Sequence, residues 1–209
     1  MQRRESLDVD GGTELCTFCY PSEEEDILYE DDKVYVMPAL GQFVEGYLLL
    51  INRDHKECFA EVIDDDRKRV KDRVKEVLED EYGSYCFFEH GRVGSCLDRA
   101  SNRICYHAHI HALPVPQDFT GRVEEDFERI PVDDIREVSG LREEHPHYFY
   151  LETFNGRKSF FAVDRNVERQ YMKKRACEAM GISEEKADYV NHPFREKMRK
   201  TAQKLENRI

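Results

Sequence analysis

His107-Ala108-His109-Ile110-His111-Ala112-Leu113-Pro114 alternates imidazoles with apolar side chains and then meets a proline. A period of two is that of a β-strand, whose successive side chains point to opposite faces. The three imidazoles therefore stand side by side, while Ala108, Ile110 and Ala112 turn to the opposite, buried face. Near neutral pH an imidazole serves as nucleophile, proton carrier or metal ligand. An ordinary exposed strand has no need of such regularity, so the stretch predicts a reaction centre or a metal site carried on a sheet.

The flanking sequence supplies that sheet. Lys33-Val34-Tyr35-Val36-Met37 alternates and stops at Pro38, and Tyr47 to Ile51 is an apolar run of strand length; with the turn around Gly41 and Gly46 they read as a hairpin. Residues 57–80 place Ile63, Val70, Val74, Val77 and Leu78 on one stripe among dense charge, which predicts an amphipathic helix stopped by Gly83. Tyr85 to Glu89 is a third strand, followed by a long loop through Gly91, Gly94 and Ser95, and the histidine strand is expected over 105–113. Strands with one long helix, lacking repeated strand–helix alternation, predict an α+β layer: an antiparallel sheet with flanking helices.

Beyond Val115 the text changes. Residues 117–146 are acidic and irregular, with room for one short helix. His147 to Glu152 and Ser159 to Val163 read as a hairpin turned by Asn155-Gly156. A helix over 167–180 gathers Met172, Ala176, Ala179 and Met180 and ends at Gly181. A last helix has Pro193 in its first turn and Phe194, Met198, Ala202 and Leu205 on one stripe. The expected organisation is a flexible leader over 1–13, a catalytic unit over 14–116 and a C-terminal extension over 117–209.

With 209 residues and 40% hydrophobic content, including 12 Phe and 11 Tyr, the chain has material for a core and is not of disordered type. No apolar run approaches the ~20 residues needed to span a bilayer. The basic start Met1-Gln2-Arg3-Arg4 has no hydrophobic segment behind it, so a soluble, cytoplasmic protein is expected. The net charge of −12 opposes non-specific binding to a nucleic-acid backbone and is neutral towards nucleotides. Seven cysteines, an odd number, argue against a disulfide framework. Cys86, Cys105 and Cys177 lie in apolar patterns and read as core fillers; only Cys16 and Cys19 have metal-ligand spacing.

Chemically, a neutral ring nitrogen of His109 is suited to attack an electrophilic phosphorus, provided the other nitrogen donates a hydrogen bond that fixes the tautomer. The product would be a covalent phosphoramidate that water then resolves. His111 is placed as proton donor to the leaving group or orienter of its oxygens.

His107-x-His109-x-His111 followed by apolar residues matches the signature of the histidine triad superfamily. Cys16-Thr17-Phe18-Cys19 resembles that family's N-terminal Cys-x-x-Cys, and Gly46 to His55 resembles its strand ending in a Lys/Arg-x-His element. The resemblance covers roughly residues 14–116. It implies an antiparallel sheet flanked by helices, often as a homodimer. It also implies a nucleotide hydrolase or nucleotidyl transferase acting at an α-phosphate with His109 as nucleophile. Histidine at 111 is similar to the hydrolases; the transferase branch carries Gln there. The resemblance further implies a structural zinc held by Cys16, Cys19, His55 and His107, so that His107 serves both catalysis and metal.

Just before the triad the chain departs from the family. Phe88-Glu89-His90-Gly91 and Arg103-Ile104-Cys105-Tyr106 stand where familiar hydrolases have Asn, Gly and Gln or Ser. Ser95 and Ser101 are the candidates for the missing phosphate contact. His90 either lines the pocket or pairs with Glu89 at the surface. His145, His147 and His192 read as surface or helix-capping residues. The basic cluster from Arg165 to Arg175, with Arg169, Lys173 and Lys174, reads as a charged helix face, with contact to a polyphosphate as the sharper alternative. Val34, Val36 and Leu48 are expected to wall the base. The substrate is expected to be a nucleoside phosphoramidate, a dinucleoside polyphosphate or an adenylate. The rivals are a nucleotidyl transferase or phosphorylase, and a nucleotide-binding interaction protein with little catalysis.

Overall fold

Eight strands form one antiparallel sheet in a computed structural model that describes residues 16–21, 26–93, 96–97 and 104–209, with the side chains of 96–97 and 104–105 excepted. The expected leader over 1–13 lies outside the described residues. In chain order the strands are β1 (Tyr29–Glu30), β2 (Val34–Pro38), β3 (Leu48–Asn52), β4 (Cys86–Gly91), β5 (Cys96–Leu97), β6 (Ile104–Cys105), β7 (His109–Leu113), β8 (Arg129–Pro131), β9 (Tyr148–Thr153) and β10 (Lys158–Ala162). The helices are α1 (Asp65–Tyr82), α2 (Thr120–Glu124), α3 (Val138–Glu144), α4 (Tyr171–Ala179) and α5 (Arg195–Leu205). The large sheet runs β1-β2-β3-β7-β4-β9-β10-β8, and β5 and β6 pair apart from it.

The histidine strand is shorter than expected. Regular pairing begins at His109, and residues 106–108 leave the strand geometry, with β6 paired to β5 instead. β7 lies between β3 and β4, with Leu49 and Phe88 both opposite His111 and Ile51 opposite His109. Burial on both faces by neighbours explains why β2 and β3 are apolar at nearly every position. Each face carries its own core. One joins Val34, Val36, Leu48, Leu50, Ile110 and Phe87 to Val70, Val74, Val77 and Leu78 of α1. The other joins Tyr35, Tyr47, Leu49, Ile51 and Phe88 to Tyr171, Met172, Ala176 and Cys177 of α4.

This division corrects one expectation. Val34, Val36 and Leu48 pack under α1, on the face opposite the imidazoles of His109 and His111, and so are not placed to wall a base bound at the triad. Tyr35, Met37 and Leu49 occupy the triad side.

Helix boundaries follow local chemistry. The amphipathic stretch does not start at residue 57: Phe59–Glu61 forms a single 3₁₀ turn, and Asp64 caps α1 by accepting from the Arg67 amide. Gly83, at φ +74°, ends that helix in the left-handed conformation that glycine adopts without strain. α4 begins at Tyr171 rather than at residue 167. Pro193 precedes α5 instead of entering its first turn, and its carbonyl accepts from the Gly41 amide. The acidic segment 117–146 holds more order than expected: α2, α3 and the edge strand β8. Hairpin β9–β10 turns at Gly156 as the Asn-Gly pair predicts. Residues 117–209 thus extend the sheet from β4 outward, with Phe88 opposite Leu151 and His90 opposite Phe149.

Two ionisable clusters lie on the α1 face. Lys71 reaches Glu152 at 2.5 Å, with Tyr150 donating to the same carboxylate at 2.9 Å. Glu89 accepts from the Phe59 amide and, at 2.9 Å, from the Tyr148 hydroxyl, while burial pushes its carboxyl up to about 7. No helix among the described residues is long and apolar enough to cross a membrane.

A Cβ on Gly91 would stand 2.1 Å from the ring of Tyr148. Gly91→Ala is therefore expected to push that ring off Glu89 and cost about 2 kcal/mol or more in urea denaturation. Gly140→Ala, in α3 with open space around it, is expected to be neutral or to stabilise by a few tenths of a kcal/mol, roughly.

Candidate active site

Antiparallel register brings the imidazoles of β7 against aromatic side chains of β3 and β4. His111 stacks on Phe88 with ring centroids 4.5 Å apart, and His90 approaches it at 5.5 Å. Tyr47, one residue before β3, places its hydroxyl oxygen 2.5 Å from His111 Nδ1. His109 Nε2 and His111 Nε2 are 3.1 Å apart, and His109 Nδ1 lies 2.6 Å from the His107 carbonyl oxygen.

These contacts admit one assignment of protons. A carbonyl oxygen only accepts, so His109 carries its proton on Nδ1 and leaves a lone pair on Nε2. His111 must then donate from Nε2 to that lone pair, and its own Nδ1 accepts from the Tyr47 hydroxyl. The same logic applies to His107, whose Nε2 lies 2.7 Å from the carbonyl oxygen of Asn52. Its proton is on Nε2, and its Nδ1 lone pair faces Cys16 Sγ at 3.3 Å and Cys19 Sγ at 3.6 Å.

Burial keeps the rings neutral. It lowers His109 to about 4 against the help of its backbone hydrogen bond, lowers His90 to about 3, and holds His111 well below the ordinary histidine range. A neutral His109 has an unprotonated Nε2, the state that nucleophilic attack requires once the His111 N–H turns from it to the substrate.

The expected metal ligands meet. Cys16 Sγ, Cys19 Sγ and one ring nitrogen each of His55 and His107 all lie within 4.8 Å of one another, and Cys19 Sγ is 3.2 Å from His55 Nδ1. In a tetrahedral zinc site the S···N edge is about 3.5 Å, as follows from Zn–S and Zn–N bonds of about 2.3 and 2.0 Å. The S···N distances of 3.2, 3.3 and 3.6 Å bracket that value. Two thiols and two imidazoles form a donor set that fits a soft or borderline divalent metal. Between the two cysteines, Phe18 rests on the rings of His107 (5.7 Å) and His109 (5.0 Å), so the turn that bears the thiols also covers the triad.

Of the substrate-binding candidates, Ser95 and Ser101 lie outside the described residues, as does the side chain of Cys105. His90 sits on the triad face of β4 against His111 and Phe149, and its Nε2 is buried without a hydrogen-bond partner. It does not pair with Glu89, because alternation sends Glu89 to the α1 face. His147 is exposed, His145 follows α3 at its C-terminus and His192 stacks on Phe194. Cys86 and Cys177 are buried fillers, as their apolar surroundings predict.

Sequence reasoning missed two residues. Tyr47 was read only as a strand residue; counting in twos from Tyr47 through Leu49 to Ile51 puts it on the triad face. Asn52 contributes through its backbone carbonyl, which side-chain motifs cannot reveal. Lys173, which the sequence places on a charged helix face or, alternatively, in reach of a polyphosphate, is 2% exposed and lies beside Tyr47.

No family model and no curated protein matches the chain. Solved structures that align with it include histidine triad proteins. A HIT family protein from Bacillus anthracis is 16% identical, with 50% of this chain and 73% of that one covered at a TM-score of 0.36. A hypothetical histidine triad nucleotide-binding protein from Sulfolobus tokodaii is 23% identical over 49% of this chain and 71% of that one, at 0.32. Yeast Ap4A phosphorylase in complex with AMP is 13% identical over 85% of this chain and 79% of that one, at 0.40. At such scores the likeness is partial, and what the protein does has to be read from its own site.

The proton assignment is directly testable. In long-range ¹⁵N–¹H spectra His109 is expected as the Nδ1–H tautomer and His107 and His111 as Nε2–H. Tyr47→Phe should shift the His111 resonances and leave the His107 tautomer in place; any other starting pattern contradicts the relay.

Proposed function

We propose that the protein is a histidine triad nucleotide hydrolase that cleaves at an α-phosphate through a nucleotidyl-histidine intermediate. The observation that carries this is the relay from the Tyr47 hydroxyl through His111 and His109 to the His107 carbonyl, because it fixes a lone pair on His109 Nε2 beside a donor on His111 Nε2.

In the first half-reaction His109 Nε2 attacks phosphorus, the N–P bond forms and the bond to the leaving group breaks. The proton on His111 Nε2 goes to the departing atom, general acid help worth typically ~10² to 10⁴ in rate. Meanwhile the His107 carbonyl accepts from Nδ1 and steadies the cationic ring. In the second half-reaction His111, now with a free Nε2, takes a proton from water; the oxygen attacks phosphorus, the N–P bond breaks and the nucleoside monophosphate leaves. His107 thus contributes through its carbonyl to catalysis and through Nδ1 to the metal cluster, while His90 lines the pocket. The substrates fitting this scheme are nucleoside phosphoramidates, dinucleoside polyphosphates and adenylates.

Zinc is the metal proposed for Cys16, Cys19, His55 and His107. Four protein donors leave no open position, so it would serve structure, tying the segment around Phe18 to the strand that bears the triad. Cys58, Cys86 and Cys177 are buried as free thiols, which supports the cytoplasm as the compartment.

Rapid quench of the wild-type protein into denaturant at alkaline pH, with a panel of these substrates, is expected to give an acid-labile nucleotidyl adduct mapped to His109. His109→Ala should lose the adduct and about 10³-fold or more of turnover. Cleavage without an adduct, surviving that substitution, would refute the scheme. Adding labelled inorganic phosphate as acceptor decides between hydrolysis and phosphorolysis, since only the latter carries the label into a nucleoside diphosphate.

Protein purified without chelator should carry about one zinc per chain. Cys16→Ser with Cys19→Ser should remove the metal and lower the melting temperature; metal content below about half an equivalent would count against the site.

A further inference from the structure

Two lysines of this chain are buried in the core, and they differ in what they face. Lys71, on α1, has the Glu152 carboxylate at 2.5 Å and sits over the Phe87 ring. Lys173, on α4, has no carboxylate and no hydrogen-bond acceptor on its ammonium among the described residues, yet is 2% exposed. Its Nζ lies 5.5 Å from the ring centroids of Tyr47 and Tyr189, and a Cβ added to Gly41 would stand 3.2 Å from it. An ammonium removed from water without a counter-charge is costly, and two ring faces at that distance are weak compensation. Burial accordingly lowers its pKa to about 8, with Asp188 and Cys177 too far to form a pair.

The location explains such an arrangement. Tyr47 links Lys173 to the triad: its ring faces the ammonium and its hydroxyl bonds His111. His111 and His90 both feel the lysine charge. His90 Nε2 is likewise buried without a partner. An unpaired cation and an unpaired ring nitrogen therefore gather around His111, on the side away from Cys16 and Cys19. His111 is the donor to the departing atom, so the group that leaves does so towards this cluster. The surface as a whole, at −12, repels anions, which leaves a local cation to do the selecting.

We propose that Lys173, with His90, forms a subsite for an anionic phosphate in the leaving group, so that the preferred substrates are nucleotide phosphoanhydrides rather than phosphoramidates with an amine leaving group. This rests on the nucleotidyl-transfer reading of the triad. The proton balance is unchanged: the leaving phosphate takes the His111 proton, and Lys173 keeps its own. Lys173 binds and orients; it forms no covalent bond.

The test compares wild type with Lys173→Met on diadenosine tetraphosphate, whose leaving group is a phosphate chain, and on adenosine phosphoramidate, which releases ammonia. The variant is expected to lose about 10- to 100-fold in kcat/KM on the tetraphosphate, the worth of one charge-assisted hydrogen bond. On the phosphoramidate the loss should stay near threefold, roughly, since no leaving-group charge is held there. Equal losses on both substrates, or none on either, overturn the assignment.

Calorimetry with inorganic pyrophosphate gives a readout independent of turnover and of the nucleophile. Wild type and His109→Ala should both bind it, and Lys173→Met should not, with melting curves showing that the variant is folded. Absence of binding to wild type, or binding retained by a folded Lys173→Met, overturns the subsite. If wild type cleaves neither nucleotide yet binds pyrophosphate through Lys173, the hydrolase reading fails and the anion subsite stands.

Discussion

The hydrogen bond from His107 Nε2–H to the Asn52 carbonyl, 2.7 Å long and buried, orders the whole site. It occurs where the backbone has not yet entered the regular pairing of β7, with the Ala108 carbonyl accepting from the Asn52 amide just beside it. One proton on Nε2 forces the lone pair of Nδ1 towards Cys16 and Cys19. The carbonyl of the same residue is then left to receive His109 Nδ1–H. The Cys/His cluster and the proton position on His109 are thus set by two ends of a single residue, and a tautomer change at His107 would disturb both.

The relay depends equally on dryness. Phe18 rests on His107 and His109, Phe88 stacks on His111, and Tyr47 contributes both an apolar ring and a hydroxyl that reaches His111. In water each ring nitrogen would exchange partners freely; here the hydrogen bonds to the Asn52 and His107 carbonyls and to the Tyr47 hydroxyl hold each ring in one orientation. The same burial that makes the imidazolium form unfavourable keeps His109 in its reactive state at neutral pH. Tyr47 is in this sense the structural complement of Asn52: one fixes the last imidazole of the series, the other the first.

Much of this was legible in the sequence, for identifiable reasons. Alternation at His109 to Leu113 is strong because one set of side chains is polar and the other is not. The stripe of Val70, Val74, Val77 and Leu78 is clear because the rest of α1 is charged. The metal quartet rests on resemblance, and the geometry brings its members together. Failure came where side-chain polarity carries no contrast. Val34, Val36 and Leu48 lie in strands buried on both sides, so period two separates their faces without saying which bears the triad; only pairing with His109 and His111 does. Short elements such as β8 and α2 carry too few residues for a period to show. Lys173 stands beside Lys174 and Arg175 in the chain, and its burial is a tertiary fact: the face of α4 that carries Met172, Ala176 and Cys177 into the core brings it along.

The stretch after residue 117 changes what the first half can do. A sheet ending at β4 would leave that strand as an edge, with its backbone groups unpaired and His90 open to water on one side. Pairing with β9 closes the edge from Cys86 to Gly91 and sets Phe149 directly across from His90. α4 then packs Tyr171 flat on Phe149, with the rings 5.1 Å apart and 8° from parallel, and this stacking fixes the helix over the triad face. Lys173 lies two residues along from that anchor. Its place in the site therefore follows from strand pairing through β4, β9 and Phe149 rather than from any motif of its own. The same chain of contacts packs the second half of the protein against the triad face.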